Sequence, residues 1–77
     1  MKKYIDTAVW ENDYRERLKK LMAEKKIPPR ELSLPLGYNE GYISRILKGK
    51  IDPSFKSMMD TMLYFDISPA EFFAFDL

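Results

Sequence analysis

Between Asn39 and Arg45 the chain gathers a carboxamide, a carboxylate, a glycine, a hydroxyl and a guanidinium, on Asn39, Glu40, Gly41, Ser44 and Arg45. These groups are suited to reading a flat polar edge by hydrogen bonds: Arg45 offers a rigid fork of donors, Glu40 only accepts, and Asn39 and Ser44 do both. Arg30, Lys48, Lys50 and Lys56 lie close by in sequence and add positive charge. Catalytic chemistry is a poor fit. The 77 residues contain no cysteine and no histidine, which removes a disulfide framework, a cysteine or histidine zinc site and histidine acid–base catalysis. The carboxylates are scattered and nothing pairs a nucleophile with a positioned base, so no enzyme, metal or small-molecule cofactor is expected.

The elements that must carry these residues follow from the apolar spacing. Leu32 and Leu36 give one short helix an apolar face at i, i+4, and Ile43, Ile46 and Leu47 give a second at i, i+3, i+4. Gly37 lies between them, where the chain must turn sharply, because glycine enters the left-handed region without steric cost. Asn39 is placed to offer its side-chain oxygen to the amides that open the second helix. The pattern predicts a helix-turn-helix over 29–48, with its second helix over 39–48 and ending at Gly49. With Ile43, Ile46 and Leu47 facing inward, Glu40, Gly41, Ser44, Arg45 and Lys48 project outward together.

The rest of the chain reads as an all-α compact bundle of about five short helices, without strands, in a single domain over 1–77. The first helix starts either at an Asp13-x-x-Glu16 capping box or earlier, after Asp6, in which case 1–10 is an early helix rather than an arm. It runs to about Lys25 with Tyr14, Leu18, Leu21 and Met22 inward. Pro28-Pro29 opens the second helix, and Pro35 predicts that this helix is short or distorted in its final turn. A fourth helix spans roughly Ser54 to Phe65 with an apolar stripe of Phe55, Met58, Met59, Met62 and Leu63. The last, over 68–77 with its tail, begins at a Ser68-x-x-Glu71 box, with Ile67 and Phe72 as a hydrophobic staple. Tyr38 and Tyr42 are read as packing residues, and the methionines as adaptable filling. No signal-peptide core or membrane-length apolar run is present, so a cytoplasmic protein without a membrane partner is expected.

From about Tyr14 to Phe73 the chain resembles the Cro and phage-repressor class, the Xre-like (lambda-repressor-like) helix-turn-helix domains. The resemblance rests on Leu32, Gly37, Ile43-Ser44-Arg45-Ile46, Gly49 and Pro53-Ser54 at the family's spacing, followed by a helix and an ending seen here as Asp66-Ile67-Ser68. It implies that the second helix of the pair enters the major groove of double-stranded DNA. In that setting Arg45 would read a guanine through O6 and N7, Ser44 a base or a phosphate, Glu40 a cytosine amino group, and Asn39 an adenine edge or its own helix cap. Gly41 would let the backbone approach the groove wall. Arg30, Lys48, Lys50 and Lys56 would meet phosphates. The chain departs from the family where most members carry Ser or Thr followed by a phosphate-binding Gln. Pro28-Pro29 stands there, leaving Arg30 as the local substitute.

A sequence-specific transcriptional regulator of prokaryotic or phage type, a repressor that occupies an operator, is therefore the expected function. Net charge is only +1, but the basic residues gather around the helix-turn-helix while Asp60, Asp66, Glu71 and Asp76 collect toward the C-terminus. That weak net charge and Glu40 also favour an alternative on the same fold, an antitoxin-like or adaptor module that binds protein. Phe72, Phe73, Phe75 and Leu77 crowd the C-terminal end with more apolar surface than one short helix can bury. They predict either a homodimer contact or a cover over the end of a monomer.

Overall fold

The computed structural model describes residues 7–74. Among them are five helices and no strands: α1 (Thr7–Lys25), α2 (Pro29–Ser33), α3 (Tyr42–Leu47), α4 (Phe55–Phe65) and α5 (Pro69–Ala74). Helix α1 takes the earlier of the two starts. Asp13 accordingly lies within the helix, where its carboxylate accepts from Arg17 Nε one turn on at 2.9 Å instead of capping an N-terminus.

The ends of α1, the α2 turn, α3 and α4 share one stereochemical solution. Lys26, Gly37, Gly49 and Asp66 have φ of 57°, 88°, 77° and 56°. At each, the amide of that residue and the next reach back to helix carbonyls, as in Ile27 N–H to Met22 at 3.0 Å and Lys50 N–H to Arg45 at 2.9 Å. This is the closure in which a left-handed residue satisfies the last free carbonyls of a helix. Glycine takes it at no cost in two of the four places. Pro28 and Pro29 then suit the opening of α2, since a proline in the first turn gives up an amide that has no partner there anyway. Pro35 lacks the amide that would have continued the helix, and α2 stops at Ser33, as the sequence predicts.

Every helix sends at least one side chain into the core: Tyr14, Leu18, Leu21 and Met22 from α1, Leu32 from α2, Ile43 and Ile46 from α3, Met62 from α4 and Phe72 from α5. Each fully buried large side chain of this kind contributes about 1.5–3 kcal/mol. Helix α3 packs on α2 and α1, and α5 on α1 and α4. The expected apolar stripe of α4 holds for Met62, in the core, and for Met58 and Met59, packed against it, and is corrected at Phe55 and Leu63. Phe55 is 73% and Leu63 76% exposed, while Ser57, Thr61 and Met62 are buried. Hydroxyls hold the inner face because each bonds locally: Ser57 Oγ donates to the Ser54 carbonyl at 2.9 Å and Thr61 Oγ1 to the Ser57 carbonyl at 2.8 Å. Thr61 has then spent its proton, so the Tyr14 hydroxyl, 2.8 Å away, donates to it.

The Ser68 box forms as expected, with Ser68 N–H on Glu71 Oε1 and Glu71 N–H on Ser68 Oγ, both at 3.1 Å. Hydrogen bonding from Ser68, its amide first, holds the Glu71 carboxyl below its usual range. Phe72 is 1% exposed and belongs to the core, which corrects its assignment to a dimer surface. Phe73 is half-buried and sets its ring edge-on to Trp10 with centroids 5.8 Å apart. Phe75 and Leu77 lie outside the described residues.

Candidate nucleic-acid interface

Helix α3 is shorter than the predicted 39–48, because residues 39–41 form a turn that leads into it. The Asn39 carboxamide oxygen accepts from Gly41 N–H at 3.1 Å, and the Asn39 carbonyl accepts from Tyr42 N–H at 3.1 Å. The side chain thus stabilises the approach, one residue ahead of the helix proper. The first turn of α3 is served from elsewhere. Ser33, fully buried at the end of α2, accepts from Ile43 N–H at 3.0 Å while donating to the Pro29 carbonyl at 3.0 Å. One hydroxyl therefore closes α2 and caps α3, which fixes the angle between the two helices.

The other end of α3 is pinned by Arg15 of α1. Its Nε donates to the Ile46 carbonyl at 2.7 Å, Nη1 to Asn12 Oδ1 at 2.7 Å, and Nη2 to the Ile51 carbonyl at 2.9 Å and Asp52 Oδ1 at 3.0 Å. A cation bonded to carbonyls at a helix C-terminus also meets the negative end of the helix dipole. Neither Ser33 nor Arg15 stands out in the sequence. The available signal for Arg15 is its place on the inward stripe with Leu18 and Met22, at i, i+3, i+7.

With both ends held, the outward face of α3 follows. Asn39, Glu40, Arg45, Lys48 and Lys50 are exposed, and Gly41 and Ser44 are half-exposed. The structure brings these together on the helix and its flanks. The Arg45 guanidinium bends back, with Nη2 donating to Asn39 Oδ1 at 3.1 Å. Tyr38 and Tyr42 stack with centroids 3.9 Å apart and planes at 12°, half-buried in the packing role expected of them. Arg30 is exposed on α2, and among the described residues neither it, Lys48 nor Lys50 enters an ion pair. Lys56 is differently placed. Its Nζ donates to Asp60 one turn on at 2.6 Å, and that bond together with the carboxylate charge raises the pKa of the amine.

Residues 17–76 match the Cro/C1-type HTH DNA-binding domain family. The chain belongs to that family. No curated protein and no solved structure matches it. The helix-turn-helix of that family description is formed here by α2 and α3. No described helix is long and apolar enough to cross a membrane, and no group of three or more His, Cys, Asp or Glu among the described residues could hold a metal ion. A concavity of about 520 Å³ between α4 and α5 has Ser68 and Glu71 in its lining, but both are engaged in the helix cap.

Proposed function

We propose that the protein is a sequence-specific DNA-binding transcriptional regulator of prokaryotic or phage type, which acts in the cytoplasm by occupying an operator. The reading is carried by α3 and its flanks, where exposed hydrogen-bonding groups on Asn39, Glu40 and Arg45 sit beside Lys48 and Lys50, cations that enter no ion pair among the described residues. Arg45, Ser44 and Glu40 approach base edges, with Gly41 and Asn39 beside them at the groove, while Arg30, Lys48 and Lys50 meet phosphates, joined by Lys56 if it leaves Asp60. The account is one of binding, without catalysis or cofactor. Binding of labelled duplex followed by fluorescence anisotropy tests it. Affinity should fall with salt at a log–log slope of about −0.9 for each phosphate neutralised. A parent protein without salt-dependent duplex binding would refute the reading.

Occupation of successive major grooves requires two copies about 34 Å apart, and we infer a homodimer formed at the C-terminal end. The exposed Trp10 and its partner Phe73 support that location, with Phe75 and Leu77 as further contributors. Sedimentation should show a dimer that dissociates when 73–77 are deleted, and a monomer unchanged by the deletion would contradict it. One observation favours the adaptor alternative. Phe55 and Leu63 expose large apolar surfaces on α4, and exposed apolar surface of this kind can serve protein contacts.

A further inference from the structure

The Arg45 side chain does not hang free in solvent. Asn39 Oδ1 accepts at once from Gly41 N–H and from Arg45 Nη2, each at 3.1 Å. The guanidinium lies across Gly41: a Cβ built there would stand 3.0 Å from Arg45 Nη1, 3.7 Å from its Cζ and 3.7 Å from Asn39 Oδ1. The backbone bond holds the carboxamide, the carboxamide holds the guanidinium, and the missing side chain at position 41 supplies the space.

We propose that Asn39 and Gly41 form a seat that presets Arg45 for guanine, with Asn39 a positioning residue rather than a reader of its own base. The inference rests on the DNA-binding reading above. Guanidinium carries five N–H donors, and Asn39 occupies one, so Nη1 and the second Nη2 hydrogen remain for the two acceptors O6 and N7. A neutral carboxamide braces the fork without cancelling its charge, as a carboxylate would. A side chain already ordered in the free protein loses less freedom on binding, and the saving applies only where both guanine acceptors are met. The seat therefore raises discrimination more than general affinity. For one long side chain the gain is roughly tenfold in the ratio of cognate to random affinity.

The test selects a preferred duplex from a random library with the parent protein, then measures Kd by anisotropy on that duplex, on random sequence and on the selected duplex carrying 7-deazaguanine, which lacks N7. A serine oxygen can still accept from the amide two residues on but is too short to reach Arg45. Asn39→Ser should keep the parent melting temperature while the cognate-to-random ratio falls about tenfold. It should also lose most of the penalty that 7-deazaguanine imposes on the parent. Asn39→Asp should weaken binding to all sequences through its charge yet keep the ratio, because its oxygen still reaches Arg45. If Asn39→Ser proves unstable, Gly41→Ala is the second variant: its Cβ would press on Arg45 Nη1 at 3.0 Å and meet Asn39 Oδ1 only at an ordinary contact distance of 3.7 Å, so it should push the guanidinium off its seat and lower the ratio. In an Arg45→Ala background, Asn39→Ser should change nothing. An unchanged ratio in Asn39→Ser, or an equal loss in the Arg45→Ala background, overturns the seat while leaving the DNA reading intact. A parent without sequence preference overturns both.

Discussion

Ser33→Ala removes a single oxygen and should be among the most damaging small changes in the molecule. The hydroxyl is fully buried and makes two bonds of 3.0 Å, to the Pro29 carbonyl and from Ile43 N–H. Ile43 is itself fully buried, so its amide is left without a partner and without access to water. An orphaned buried donor costs about 1–3 kcal/mol, and loss of the bond to Pro29 adds to it. The total is about 2 kcal/mol, a drop of about 8–15 °C in melting temperature for a domain of this size. Ser54→Ala provides the ruler, because Ser54 is an exposed N-cap bonded to Ser57 N–H at 3.1 Å and should cost about 1 kcal/mol. Thermal and urea unfolding followed by far-UV circular dichroism measure both. If Ser33→Ala loses no more stability than Ser54→Ala, the buried hydroxyl does not hold α2 to α3 and the account of how α3 is oriented fails.

Arg15→Met should destabilise by about 2–3 kcal/mol in urea, since it removes charge-assisted bonds to the Ile46 and Ile51 carbonyls. Asp52→Ala should cost less than about 0.5 kcal/mol, because the carboxylate of that pair is 75% exposed; equal losses in the two variants would contradict the carbonyl-anchoring role. Burial, with smaller contributions from Tyr42 and Tyr38, pushes the Tyr14 phenol up to about 12. The fold thus favours the protonated form, and that stability is fully present below pH of about 10 and lost as pH rises through 12, at up to about 1.4 kcal/mol per pH unit. Tyr14→Phe should be about 1 kcal/mol less stable at neutral pH but decline less steeply in alkali, and parallel declines would refute the assignment. Lys50→Ala should weaken binding to all duplexes alike and reduce the salt slope by about 0.9, with an unchanged slope removing Lys50 from the phosphate contacts.

Where glycine and local boxes speak for themselves, the sequence was a good guide. Gly37 and Gly49 mark the left-handed turns that bound the helix-turn-helix, Ser68 and Glu71 form the predicted box, and Pro35 ends α2. Failures came where a polar residue took an inner position. Ser57 and Thr61 face inward on α4 because their hydroxyls bond to helix carbonyls, so the apolar residues Phe55 and Leu63 are turned outward against a periodicity reading. Lys26 and Asp66 close helices in the left-handed region; nothing in a lysine announces that, and an aspartate tolerates the conformation without requiring it. Asp13 imitates a cap inside a helix that passes straight through it. The outward face of α3 was legible from phase alone, whereas the bond from Asn39 to Arg45 needs coordinates, because it joins two side chains across a turn whose geometry Asn39 itself sets.

Sequence-specific binding by the outward face of α3 is tested most directly by Arg45→Ala, comparing anisotropy titrations on the selected duplex and on random sequence at one salt concentration. Loss of one bidentate base contact predicts about 1–3 kcal/mol on the selected duplex and far less on random DNA. An equal weakening on both sequences would reduce Arg45 to a phosphate contact and contradict the account.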